Sequence, residues 1–233
     1  MAVPGARFPP PPTETSYMRV AALLRAEILA GEIALGSWLR MSAIADRCGV
    51  SVQPVREALQ QLEGEGLVEM IPNRGARVRE LSRQRMIHNH EIGEALETFM
   101  SRRFAEEASL SDLRQLEALQ RVHDVALEGD DWLAIDDANF AFHRHINGHG
   151  GNEEAVDLVT RYYGLTQAIH STLGRAEGYK ARVRAEHHAL IDAFRQRDGE
   201  LAARIGASHV RGTLNDVLSL FDASQPEPAR RRR

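Results

Sequence analysis

Asn139 and His143 stand four residues apart, so a helix through them presents both side chains on one face. His187 and His209 fall on what read as the last two long helices of the chain. One amide oxygen and three imidazoles drawn from three helices make a donor set for a divalent metal ion, zinc first, with nickel or manganese as alternatives. The chain has ten histidines, so these four residues do not by themselves separate a metal centre from solvated histidines. His145, His149, His170 and His188 read as bystanders of the solvated kind. Three imidazoles around an open coordination position could also activate water, which would make the protein a metal-dependent hydrolase. The sequence shows no His-Glu-x-x-His, no nucleophile elbow, no phosphate loop and no evident general base, so binding is favoured over catalysis.

A second constellation lies nearer the start. Ala45, Gly49 and Val55 sit at offsets 0, +4 and +10. A small residue where two helices cross, a glycine for the left-handed turn and an apolar residue locking the second helix are the spacing of a helix-turn-helix. Two short extended runs follow, Leu67–Ile71 and Ala76–Arg79, around Pro72-Asn73-Arg74-Gly75. They read as a β-hairpin, a wing tipped with arginine. Arg79 reads as a solvated strand end, and Cys48 as a small core residue.

The surrounding elements follow from periodicity and punctuation. Residues 1–16 include four consecutive prolines and read as an extended arm. Val20, Leu23, Leu24 and Ile28 recur at helical spacing from Tyr17. Trp38-Leu39-Arg40 reads as a short extended stretch. Ser42 is expected to cap a helix running to Cys48, and Ser51 a second one with Pro54 in its first turn. Beyond residue 82 no strand is evident. Six helices are expected at about 83–109, 112–128, 131–147, 153–173, 179–197 and 199–222, with Asp112, Asp131 and Asp198 near helix starts. The expected fold is mainly α: a winged helix-turn-helix with a small hairpin over 17–80, an all-α helical bundle over 82–223, and a basic tail over 224–233.

Composition agrees with a folded chain. Hydrophobic residues make up 43% and charged residues 27%. One cysteine excludes a disulfide framework and a cysteine-rich zinc finger. Aromatic residues are 6%, too few for a base-stacking platform. No apolar run reaches membrane-span length and the chain shows no signal-peptide pattern, so a cytoplasmic protein without a membrane partner is expected. The net charge of −4 is uneven: residues 1–80 are neutral, 82–223 carry the acidic excess and the tail is basic. Any DNA contact should therefore lie in the front section.

The stretch Leu24-Arg25, Ile28, Gly31, Ala45, Gly49-Val50-Ser51, Pro54-Val55-Arg56-Glu57-Ala58-Leu59, Leu62, Glu65-Gly66-Leu67-Val68, Pro72, Arg74-Gly75 and Val78 resembles the winged-helix domain of GntR-family bacterial transcription regulators. In that family the recognition helix enters the major groove and the wing approaches the minor groove. The resemblance implies that Ser51, Val52, Gln53 and Arg56 face DNA from the helix, and Arg74 and Gly75 from the wing. Arg56 can pair bidentately with guanine and Gln53 with adenine. Ser51 with helix N-terminal amides can hold phosphate. Val52 and Ser42 stand where some relatives carry basic residues, so the operator sequence stays open.

Phe142-His143 with Gly151-Asn152, Glu186-His187 with Leu190-Ile191-Asp192-Ala193, and Ala207-Ser208-His209 resemble the FCD effector domain of the FadR subfamily, in its shorter, VanR-type six-helix version. Members often hold a divalent metal through an aspartate and three histidines. Here Asn139 stands at the aspartate position, which implies weaker binding. Relatives commonly carry an arginine four residues before a glutamate to hold an acid; here Glu97 is present and Gly93 stands at the arginine position. An organic acid would then be held by the ion's open positions and by residues such as Arg161, Tyr162, Tyr163 and Gln167, though the tyrosine pair can equally serve packing. The implied protein is a ligand-responsive regulator, a repressor, binding a short palindromic operator of double-stranded DNA as a homodimer. A metal-sensing regulator is the alternative within the same class.

Overall fold

The structure is a computed structural model and describes residues 15–72 and 74–224. The arm expected at the N-terminus, up to residue 14, and the tail from 225 fall outside the described residues, as does Asn73. The chain divides into two compact units, one ending at Glu80 and one beginning at Leu81.

The first unit holds α1 (Ser16–Leu29), β1 (Trp38–Leu39), α2 (Met41–Cys48), α3 (Val52–Gly64), β2 (Val68–Ile71) and β3 (Gly75–Val78). The three strands form an antiparallel sheet in the order β1-β3-β2, so the hairpin strand β3 is central. Val20, Ala21, Leu24 and Ile28 of α1 meet Val55, Ala58, Leu59 and Leu62 of α3 and the inner face of the sheet in one core. Leu23, expected on the buried face, is 42% exposed, because Ala21 takes the inward position. α2 begins one residue before Ser42, with Arg40 at its N-cap, so Ser42 lies inside the first turn instead of capping it. Gly49 ends α2 in the left-handed conformation, φ 65°, as the turn between the two helices requires. Cys48 is half-buried against this core.

The second unit is all helix among the described residues: α4 (Arg83–Glu107), α5 (Leu110–Glu128), α6 (Trp132–Asn147), α7 (Glu153–Leu173), α8 (Tyr179–Arg195) and α9 (Gly199–Ser224). α5 starts two residues before the expected point because Ser109 and Asp112 form a reciprocal capping box. Asp131 caps α6 by accepting from the Leu133 and Ala134 amides, and Asn152 caps α7 through the Ala155 amide. α8 stops at Arg195, where Arg197 turns to φ 58°. α4 and α9 pack closely. A Cβ on Gly206 would lie 3.1 Å from the Glu97 carbonyl oxygen and 2.8 Å from Ser101 Oγ. This close crossing sets Glu97 and His209 on facing helices. Phe104, Phe142 and Phe194 anchor the core beside them, with Met100, Leu116, Ile146 and Leu190.

Candidate functional site

In the first unit, the buried phase of α3 is Val55, Ala58, Leu59 and Leu62. Its outer phase therefore exposes Val52, Gln53 and Arg56, with Ser51 at the N-cap. The Ser51 hydroxyl makes no capping bond, so it and the first-turn amides remain open to an anionic oxygen. Gln53 is held by Glu57 through an amide-to-carboxylate bond of 2.9 Å. Arg56 from α3 and Arg74 and Gly75 from the wing line one cleft of about 520 Å³, together with Arg40 and Ser42. Its described lining has three arginines and no carboxylate. Gly75 adopts φ 101°, which a side chain would strain, and a Cβ there would press on the Leu39 carbonyl. The other wing arginines are engaged. Arg77 bridges Glu69 and Glu80, and Arg79 donates to the Val68 carbonyl.

In the second unit, His143, His187 and His209 bring one ring nitrogen each within 4.8 Å of one another, all three buried. Their neighbours decide which nitrogen that is. His187 Nδ1 lies 2.9 Å from Gln120 Oε1. The Gln120 amide nitrogen donates to Asp124, which fixes the amide orientation. His209 Nδ1 lies 2.7 Å from Glu186 Oε2, a carboxylate also held by Arg182. His143 Nδ1 faces Glu97 Oε2 at 3.6 Å. The Gln120 and Glu186 oxygens only accept, so Nδ1 of His187 and of His209 carries the proton and Nε2 of each keeps its lone pair. Both ring nitrogens of His143 and Nε2 of His187 are buried without a hydrogen-bond partner, and so is Oδ1 of Asn139. Burial lowers the pKa of His187 well below the usual value and lowers that of His143 against the opposing pull of Glu97. Burial works against the Glu97 charge, but His143, the Tyr163 hydroxyl and His209 outweigh it and keep the carboxylate ionised. Three imidazoles beside the Glu97 and Glu186 carboxylates, with an orphaned amide oxygen on the same face as His143, fit a divalent cation in donor type and charge.

Reasoning from sequence missed Gln120 and His123, met Glu186 only as part of the family resemblance and Glu97 only as the companion of an absent arginine. The signal was present: Leu113, Leu116, Gln120, His123 and Leu127 form one buried stripe on α5, with two polar residues in it. Among the histidines read as bystanders, His188 is exposed and pairs with Asp124, and His145 Nε2 donates to the Asp112 carbonyl. His170 corrects that reading: it is 6% exposed, packed on Tyr179, with its pKa well below the usual value through burial and the nearby Arg175.

Of the residues considered for an effector, Arg161 is exposed, Gln167 is half-buried, and Tyr162 packs with Val159 and Val210. Tyr163 is the α7 residue beside the histidines. Its ring lies 5.0 Å from His143 and its hydroxyl donates to Glu97. A Cβ at Gly93 would come within 2.6 Å of the Tyr162 ring. That ring occupies the space a side chain at 93 would need, so glycine there and tyrosine at 162 belong together.

Comparison with known proteins agrees with both halves. The pattern of the family "Bacterial regulatory proteins, gntR family" matches residues 16–78, and that of the FCD domain matches residues 89–212. The HTH-type transcriptional repressor RspR of Escherichia coli is 26% identical over 212 residues, covering 90% of this chain and 92% of that protein. A probable D-xylose utilization operon transcriptional repressor of Paenarthrobacter nicotinovorans is 29% identical, covering 81% of this chain and 82% of its own length. The solved structure of E. coli McbR/YncC superposes with a TM-score of 0.73 at 20% identity, over 91% of this chain and all of that one. A GntR regulator from Rhodococcus sp. RHA1 gives the same score over 90% of the chain and shares the fold. No helix among the described residues is long and apolar enough to cross a membrane. The chain belongs to the GntR family of bacterial transcription regulators, with a winged helix-turn-helix followed by an FCD domain.

Proposed function

We propose that the protein is a cytoplasmic, ligand-responsive repressor. It binds a short palindromic operator as a homodimer through Ser51, Val52, Gln53, Arg56, Arg74 and Gly75, and holds a divalent ion, zinc first, through Asn139, His143, His187 and His209. The repressor reading draws on the two relatives whose names carry that word. One winged helix reads few base pairs, so two copies on an inverted repeat supply useful specificity. The observation that carries the metal reading is the gathering of three buried imidazoles, one ring nitrogen of each within 4.8 Å of the others, with Nδ1 of His187 and of His209 taken up by Gln120 and Glu186. When bound, the ion supplies open coordination positions for an oxygen donor of a small metabolite, an organic acid. The chain's own residues do the rest. Gln120 and Glu186 hold the His187 and His209 rings in one tautomer, Glu97 places a carboxylate beside His143, and Tyr163 steadies Glu97. Elemental analysis of the purified protein, with mass spectrometry of the small molecules released on denaturation, tests this reading. Close to one divalent ion per chain and a retained acid are expected. A protein that holds no ion and cannot be loaded with one refutes it.

A further inference from the structure

His123 is the buried polar side chain that the ion-holding set leaves unused. It projects from α5 one turn beyond Gln120 and is fully shielded from solvent. Neither of its ring nitrogens has a hydrogen-bond partner among the described residues. Its ring centroid lies 4.9 Å from that of His187, with the planes inclined by 36°. Phe142 stacks on the same His187 ring at 4.1 Å, so His187 packs against both an apolar ring and an imidazole. A neutral imidazole carries one N–H and one lone pair. The gathered nitrogens of His143, His187 and His209 do not include one from His123. It stands beside the donor set without belonging to it.

A buried imidazole with both nitrogens unused has lost its water and gained nothing in return. A donor next to a cation site is used when an anion arrives there. An oxygen held by a divalent cation keeps further lone pairs, and an N–H aimed at it adds a hydrogen bond. A neutral imidazole does this without placing a second positive charge beside the cation, as lysine or arginine would. We propose that His123 is the hydrogen-bond donor for a small carboxylate ligand at the open side of the three-histidine site. This rests on the reading that the histidines hold a divalent ion.

The test uses the full chain loaded with Co(II), whose visible absorption reports its ligands, and titrated with acetate. His123→Leu should bind Co(II) within about threefold of the unaltered protein and bind acetate at least tenfold more weakly. His123→Gln, which keeps an N–H donor, should recover part of the acetate affinity. Melting curves of both variants confirm folding. Unchanged acetate affinity in His123→Leu overturns the proposal, because the ring then lies outside the ligand's reach. A tenfold loss of Co(II) affinity in that variant also overturns it, because His123 is then itself a metal ligand. Failure of the unaltered protein to take up Co(II) at all is a different result: it refutes the metal reading, and this proposal falls with it.

Discussion

Divalent metal should raise the melting temperature of the helical unit by several degrees, and His187→Ala should abolish the gain. Without an ion, His143 and His187 each bury an Nε2 that has no partner. An unsatisfied buried polar atom costs about 1–3 kcal/mol. Coordination removes that cost and adds the binding free energy. Free ion at a hundredfold excess over Kd contributes about 2.7 kcal/mol of stability. For a domain of about 150 residues each kcal/mol moves the melting temperature by about 2–4 °C, so the expected rise is roughly 5–11 °C. The assay is differential scanning calorimetry on chelator-stripped protein with added zinc, paired with elemental analysis. His187→Ala should lose both the rise and the bound ion. His188→Ala should keep both, since His188 is exposed and pairs only with Asp124. Effector-free DNA affinity should survive His187→Ala, because the DNA-reading residues lie in the other compact unit. A stripped protein that shows no rise, or His187→Ala with full occupancy, refutes the reasoning.

Four further outcomes are expected. Asn139→Asp replaces a neutral oxygen with a charged one and should tighten zinc binding, read by competition with a chromogenic chelator; weaker binding would show that residue 139 does not face the ion. Arg56→Ala should cost about 1–3 kcal/mol of operator binding and relax selection at one base position, while Arg74→Ala should lower the salt slope by about one; anisotropy titrations across salt concentrations separate the two. Burial lowers the pKa of His90 and His170 in the folded state, so the unfolded chain takes up their protons first. Stability from these two is therefore complete above the unfolded value near 6.5 and is lost as pH falls below it, by up to about 1.4 kcal/mol per pH unit for each. Urea midpoints between pH 7.5 and 5.5, with chelator present, should decline, and His170→Leu should flatten the decline. Gly93→Ala should destabilise by about 1–3 kcal/mol through overpacking on the Tyr162 ring, and Tyr162→Ala in the same chain should recover part of that loss; additive losses would mean the two positions are independent.

Much of the local architecture was legible along the chain, because helix ends are written in nearby residues. Asn152 at the start and Gly174 at the end place α7 at 153–173, as expected. The left-handed Gly49 and the hairpin turn follow from glycine's conformational freedom alone. Where a local signal was overlooked the boundary slipped, as with the capping box of Ser109 and Asp112. Ser42 looks like a cap by residue type, yet Arg40 takes that place because its carbonyl already accepts from the Ile44 amide. Asn139 and His143 were readable as a pair because four residues close one helical turn.

The completeness of the candidate site was not legible, and the reason is the distance along the chain over which its hydrogen bonds act. The tautomer of His187 depends on Gln120, 67 residues away, and the ring of His143 is backed by a carboxylate from α4. Residue types and helical periodicity determined which side chains face inward. Only the packing of α4, α5, α6, α8 and α9 decided which inward groups meet. It turned Gln120 and Glu186 from ordinary helix residues into the groups that orient two imidazoles, and set the Glu97 carboxylate beside the third. A buried polar atom keeps its place only with a partner, and the fold, not the sequence pattern, chooses that partner.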